Sequence, residues 1–227
     1  MRTEFHAELD RLSAELGEMC GTAATLIQFA TAALVDADLA SAERVLTDLA
    51  HLDKLDARAR DRAFALLALQ APVARDLRTV VSAIQIAADA DRMGGLAANV
   101  AKIARRRHPE SAVPAPAAEV FVEMGAVAVE LAERVQSAVI TGDVEQARRI
   151  QVGDDVMDDL HRRLFGLLTD QRWPHGTAAA ADVILLGRFY GRIADHAGAI
   201  AGRIVFQTTG RPPLRHDDVS PVVTIHR

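Results

Sequence analysis

The sequence predicts an all-α protein built from two tandem three-helix bundles related by internal duplication. Three observations carry that expectation. Half of the 227 residues are hydrophobic, about a fifth are alanine, and only 4% are aromatic. Alanine and leucine are the strongest helix formers, and the supply of aromatic and β-branched residues is thin for a sandwich or barrel. Apolar residues then recur in steps of three and four over long stretches, the period of a helix with one buried face. Finally, Asp91-Arg92-Met93-Gly94-Gly95 lies 100 positions before Gly191-Arg192-Ile193-Ala194-Asp195, and each is followed by a small-residue apolar run. A pattern that returns at a fixed offset points to a duplicated unit.

The elements follow in order. Phe5, Leu9, Leu12, Leu16, Met19, Ala23, Leu26, Ala30 and Ala33 form one stripe on a first helix ending near Val35. Asp38 is placed to cap a second helix, whose stripe includes Leu39, Ala42, Leu46, Leu49, Leu52, Leu55, Ala59, Ala63 and Leu66. Pro72 stops that helix, because its ring breaks the hydrogen-bond ladder and biases the preceding residue toward extended geometry. A third helix runs from about Val73 to Arg107, which closes a first unit over 1–107. Residues 108–117 hold three prolines and no apolar period, and read as a linker. The second unit, 118–210, restarts with Val120, Met124, Val127, Leu131, Val135 and Ala138, closing at Thr141-Gly142. Asp143 and Gln146 make a capping box for a fifth helix, which ends at the Trp173-Pro174-His175-Gly176 turn. A sixth helix carries Val183, Leu186, Tyr190, Ile193, Ala197, Ile200 and Ile204, and residues 211–227 read as a poorly ordered tail.

Charge and cysteine content exclude several classes of function. A formal net charge of −5 argues against sequence-independent nucleic-acid binding, which needs a basic surface to displace phosphate counterions. The one cysteine, Cys20, rules out an intrachain disulfide and a cysteine zinc knuckle, fits a reducing compartment, and reads as a core residue. The charged N-terminus does not look like a signal peptide, and the longest charge-free run, Met19 to Val35, is short for a membrane span. The expectation is a cytoplasmic protein with no direct membrane insertion.

The strongest local candidate for chemistry is Asp154-Asp155-Val156-Met157-Asp158-Asp159. On a helix Asp154 and Asp158 lie one turn apart on the same face. With Asp195 from another helix they could form an oxygen-rich metal site. The simpler reading is a solvent-facing acidic stripe partnered by Arg148, Arg149, Arg162 and Arg163. Asp195-His196 resembles a catalytic pair, but no nucleophile accompanies it and adjacent helical residues point about 100° apart; a supporting or capping role is expected. His161 reads as a surface residue. Arg105-Arg106-Arg107 ends the third helix, where cations meet the negative end of the helix dipole. Phosphate-loop, dinucleotide and nucleophile-elbow motifs are all missing, so the residues argue against an enzyme.

The run Ala68-Leu69-Gln70-Ala71-Pro72-Val73-Ala74-Arg75-Asp76-Leu77-Arg78 resembles the signature that PhoU-family proteins carry between their second and third helices. Asp91-Arg92-Met93-Gly94 and Gly191-Arg192-Ile193-Ala194-Asp195-His196 are similar to that family's Glu-Arg-Ile-Gly-Asp motif, once per repeat. Leu185-Leu186-Gly187-Arg188-Phe189-Tyr190 and the Trp173 turn look most like the actinobacterial PhoY branch. The resemblance implies two three-helix bundles, often a homodimer, and a cytoplasmic non-enzymatic regulator. Such proteins couple the ATPase subunit of a phosphate transporter to a sensor histidine kinase and restrain the phosphate-starvation response. It also implies iron or zinc at clustered acids. Asp53 and Asp91 match the family acids of the first repeat, but Leu49 and Gly95 stand where their partners would be. Asp154, Asp158 and Asp195 are kept in the second repeat, while Gly191 replaces the leading glutamate. The expectation is a lost first site and a weak or absent second one, with a carboxylate metal-binding protein or metal-dependent hydrolase on Asp154, Asp158 and Asp195 as the alternative function. Arg75, Asp76, Arg78, Arg92 and Arg192 are the expected partner-binding residues.

Overall fold

The computed structural model describes residues 2–152, 155–169 and 173–211. The expected tail, from residue 212 onward, lies outside them. The described chain is all-α: α1 (Arg2–Val35), α2 (Leu39–Gln70), α3 (Ala74–Arg107), α4 (Ala115–Thr141), α5 (Val144–Val152), α6 (Asp155–Thr169) and α7 (Gly176–Thr209). α1 to α3 form one bundle, and α4 to α7 form the other.

Local chemistry sets most of the boundaries. Asp38 caps α2, its carboxylate accepting from the Ala40 N–H at 2.9 Å and the Ser41 hydroxyl at 2.6 Å. α2 ends where Ala71, with φ 43°, enters the left-handed region just before Pro72. Ala37 and Ala74 also have positive φ, so both turns of the first bundle hold alanines in conformations that side chains rarely adopt. α4 begins at Ala115, inside the stretch expected to be linker. Pro114 is its N-cap and Pro116 lies in its first turn, where a missing N–H leaves no intrahelical bond unmade. α4 closes on Gly142 at φ 66°. Asp143 caps α5 as expected through the Glu145 and Gln146 N–H groups, but the Gln146 side chain accepts from Ser137 at 3.3 Å and does not complete the box. The single fifth helix of the sequence reading is described as two segments, α5 and α6.

The two bundles share one hydrophobic core. α1 packs on α4 as extensively as on its own partners α2 and α3, and α3 packs along α7. Glycines make the α1–α4 approach possible. A Cβ at Gly17 would lie 2.5 Å from the Ile140 side chain, and one at Gly125 would lie 2.5 Å from that of Thr31. The Thr31 hydroxyl is 2.8 Å from the Tyr190 hydroxyl, which ties α1 to α7 beneath that contact. Thr3–Val35 is, among the described residues, the one stretch long and apolar enough to cross a membrane. Its buried residues, from Leu12 through Leu34, are instead the seam of both bundles. Cys20 lies fully buried within it, and burial together with the Asp89 charge pushes its thiol up to about 12.

Candidate functional site

Two places in the molecule correspond through the duplication. The first is the meeting of α2 and α3, where Asp53, Asp91, Leu49 and Gly95 all line one cleft of about 740 Å³. α7 supplies the opposite wall with Leu185, Arg188, Phe189, Arg192 and His196, and α3 adds Arg92, Leu96, Asn99 and Lys102. Burial and the neighbouring Asp56 and Asp53 charges hold the Asp91 carboxyl above the ordinary aspartate range. Asp56 is engaged elsewhere, accepting from Arg60 Nε at 2.8 Å. The two retained carboxylates therefore share their cleft with four cations.

The second place is the meeting of α6 and α7. Here the His161 ring lies against Gly191, and a Cβ on that glycine would come within 2.6 Å of the ring carbon Cε1. Both ring nitrogens face backbone carbonyls: Nδ1 the Met157 oxygen at 3.1 Å, and Nε2 the Gly187 oxygen at 2.7 Å. His161 is thus half-buried packing rather than the surface residue expected. Neither nitrogen is presented to a ligand. Asp195 is exposed on α7, 3.7 Å from Arg192 across one turn, and Asp158 is exposed on α6. Asp154 lies outside the described residues.

These arrangements overturn the expected iron or zinc site. Among the described residues no group of three or more His, Cys, Asp or Glu side chains is placed to hold a metal ion. The physical reasons differ in the two repeats. Asp53 and Asp91 have only Asp56 as a further acid nearby, and it is bound by Arg60, while Arg92, Lys102, Arg188 and Arg192 line the same cleft. At the other position, Gly191 leaves room for His161, and the imidazole fills the space where a glutamate would project. The donor set does not fit a carboxylate-held metal.

The expected partner residues fall into two groups. Arg75 and Asp76 line a groove at the end of the molecule, between the start of α1 and the ends of α4 and α7, and Arg78 packs beside Gly210. At the end of α2 and the start of α3, Leu69, Val73, Leu77 and Val81 are exposed, the first two at 78% and 73% of their surface. Arg92 and Arg192 instead face each other's helices in the cleft, about 20 Å further along α3 from Arg78 by helical rise.

Several ion pairs between elements had no sequence signal, because the partners lie far apart in the chain. Asp89 on α3 accepts from His196 Nδ1 at 2.9 Å and lies 2.8 Å from Arg203, both on α7. This gives His196 a bridging role between the bundles. Asp182, nearly buried near the start of α7, takes Arg106 at 3.2 Å and Arg107 at 3.0 Å from the end of α3. Glu15 on α1 is held by Arg58 and Arg62 of α2 at 3.0 to 3.1 Å, and Arg62 also reaches Glu8. Burial raises the Glu15 carboxyl, but the hydrogen bonds from Arg62 and Arg58 and their charges outweigh it and leave it below the ordinary range.

The described residues form a two-repeat helical fold that exposes apolar and basic faces. Residues 16–104 and 121–204 each match the PhoU domain, and the chain belongs to the PhoU family. It is 56% identical over 94% of its length to the whole of a Mycobacterium tuberculosis protein named phosphate-specific transport system accessory protein PhoU homolog 2. It is 53% identical over 97% of its length to PhoU homolog 1 of Mycobacterium leprae, covering 99% of that protein. The fold matches the crystal structure of PhoU from Pseudomonas aeruginosa with a TM-score of 0.82 at 24% identity, over 91% of this chain and all of that one. As a member of this family the chain is a cytoplasmic, non-enzymatic regulator of phosphate transport and homeostasis.

Proposed function

We propose that the chain acts by protein contact, coupling the ATPase subunit of a phosphate transporter to a sensor histidine kinase and restraining the phosphate-starvation response when phosphate is plentiful. The observation that carries this reading is the similarity over 94% of the chain to relatives named accessory proteins of phosphate-specific transport. The surface chemistry agrees with it. The α2–α3 tip exposes Leu69, Val73 and Leu77 beside Arg75 and Asp76, an apolar patch with a charged rim of the kind that protein interfaces use. In this reading the tip is the docking surface, Arg75, Asp76 and Arg78 set its orientation, and Arg92 and Arg192 extend the contact along α3 and α7. A homodimer leaves two such tips per assembly.

The test is co-purification of tagged chain from phosphate-replete cells, paired with transcription of phosphate-regulated genes in a deletion strain. Wild type should capture both partners, and deletion should release the response in high phosphate. Val73→Asp with Leu77→Asp, at exposed positions, should abolish capture without lowering the melting temperature. Normal repression in the deletion strain would contradict the reading.

A further inference from the structure

We propose that the cleft between α3 and α7 is a binding site for a small ligand carrying adjacent phosphoryl groups. The proposal rests on charge, register and lining, and stands apart from the identity of the protein partners.

The protein as a whole is acidic, with a formal net charge of −5, yet this concave surface gathers Arg92, Lys102, Arg188 and Arg192 against only two carboxylates. A cleft that concentrates one sign of charge between low-dielectric walls focuses the field on whatever enters it. Most of this charge is uncommitted. Arg188 has no ion-pair partner among the described residues. Arg192 makes only a 3.7 Å contact with Asp195, and Lys102 only a 3.5 Å contact with Asn99. Several arginines elsewhere are tightly paired, as Arg163 is with Glu123 at 2.6 and 2.9 Å.

Register gives the cations an arrangement. α3 and α7 run antiparallel, fixed by Arg107 on Asp182 at one end and Asp89 on His196 further along. Lys102 therefore lies about level with Arg188 and Arg92 about level with His196, with Arg192 between Arg188 and His196 on α7. Arg92 and Lys102 are separated by about 15 Å of helical rise along α3. A single carboxylate cannot engage all of these cations. A chain of phosphoryl groups can, and the guanidinium fork matches two oxygens of each tetrahedral phosphate. Leu96, Leu185 and Phe189 give the cleft an apolar floor, on which the base of a nucleotide could stack.

Two sources supply this chemistry, a nucleoside triphosphate and an inorganic phosphate chain, and one experiment separates them. The full chain is titrated calorimetrically with ATP, with tripolyphosphate and with hexaglutamate at physiological salt. Saturable one-to-one binding of a phosphate ligand is expected, weakened at least tenfold by Arg188→Glu with Arg192→Glu. Arg148→Glu, on α5 and away from the cleft, should leave it unchanged. Both arginines are exposed, and an unchanged melting temperature will show that the double variant is folded. ATP binding more tightly than tripolyphosphate identifies a nucleotide site; equal affinities identify a phosphate-chain site. The proposal is overturned if neither phosphate ligand saturates, if hexaglutamate binds as tightly, or if the double variant binds like wild type. The titration uses no protein partner, so its failure would leave the adaptor function standing, and the reverse.

Discussion

The two repeats began as copies, and their corresponding sites have diverged in opposite physical directions. In the first repeat, Gly95 has nothing within 4 Å of the place a Cβ would occupy, and the position opens onto a cleft lined with cations. In the second, Gly191 is pressed by His161 and the space is closed. Both changes remove a carboxylate-held metal, one by replacing charge and the other by filling volume. A glycine in a family motif therefore has no single meaning. What its neighbour does with the vacated space decides it.

The largest expected effect sharpens this contrast. Gly191→Ala should cost about 1–3 kcal/mol, because His161, held 2.7 Å from the Gly187 carbonyl, cannot yield cheaply. Gly95→Ala should do the reverse and stabilise by about 0.5–1 kcal/mol, since an open helical glycine carries only its entropic cost. Urea unfolding of the two variants measures both, and equal effects would erase the distinction.

A second contrast concerns the clamps between the first and second helices of each repeat. Glu15 is buried under Arg58 and Arg62, whereas Glu123 meets Arg163 at the surface. Glu15→Gln should cost about 1–3 kcal/mol at neutral pH, and Glu123→Gln should cost little that unfolding can detect. The Glu15 contribution has a pH signature. Its carboxyl is lowered in the folded state, so the stability it adds is present above its unfolded value of 4.5 and is lost as pH falls through the folded one. The Glu15→Gln difference should shrink below that pH.

Asp91 gives the smallest effect, with the opposite sign. Its carboxyl is raised by burial and by Asp56 and Asp53. The folded state therefore holds the proton longer than the unfolded one, and ionisation at neutral pH costs stability. Asp91→Asn should stabilise at neutral pH by less than about 1 kcal/mol, after allowing for solvent screening of a half-exposed group. The gain should vanish below the ordinary aspartate value of 3.8, and thermal melts across acid pH would show it.

Much of the fold was legible because it depends on local pattern. The stripes from Leu12 to Ala33, the Asp38 cap and the Pro72 stop are short-range signals, and each is present in the structure. The start of α4 was misplaced because three prolines read as linker, although a helix accepts proline in its first turn. The site was only partly legible. Asp53 and Asp91 were picked out by the family resemblance, but the cations opposite them come from α7, about 100 residues or more away. His161 was read as surface because its own helix is acidic, and only the approach of α7 buries it. The iron or zinc expectation failed for the same reason: sequence counts donors, and packing decides what surrounds them.

His161 closes the second-repeat position by occupying the space Gly191 leaves. A double-mutant cycle tests it most directly, with the unfolding free energies of Gly191→Ala, His161→Ala and the pair. In the His161→Ala background the alanine at position 191 should lose its cost and become neutral or stabilising, a coupling of at least about 1 kcal/mol. A Gly191→Ala penalty of the same size with and without the imidazole would contradict it.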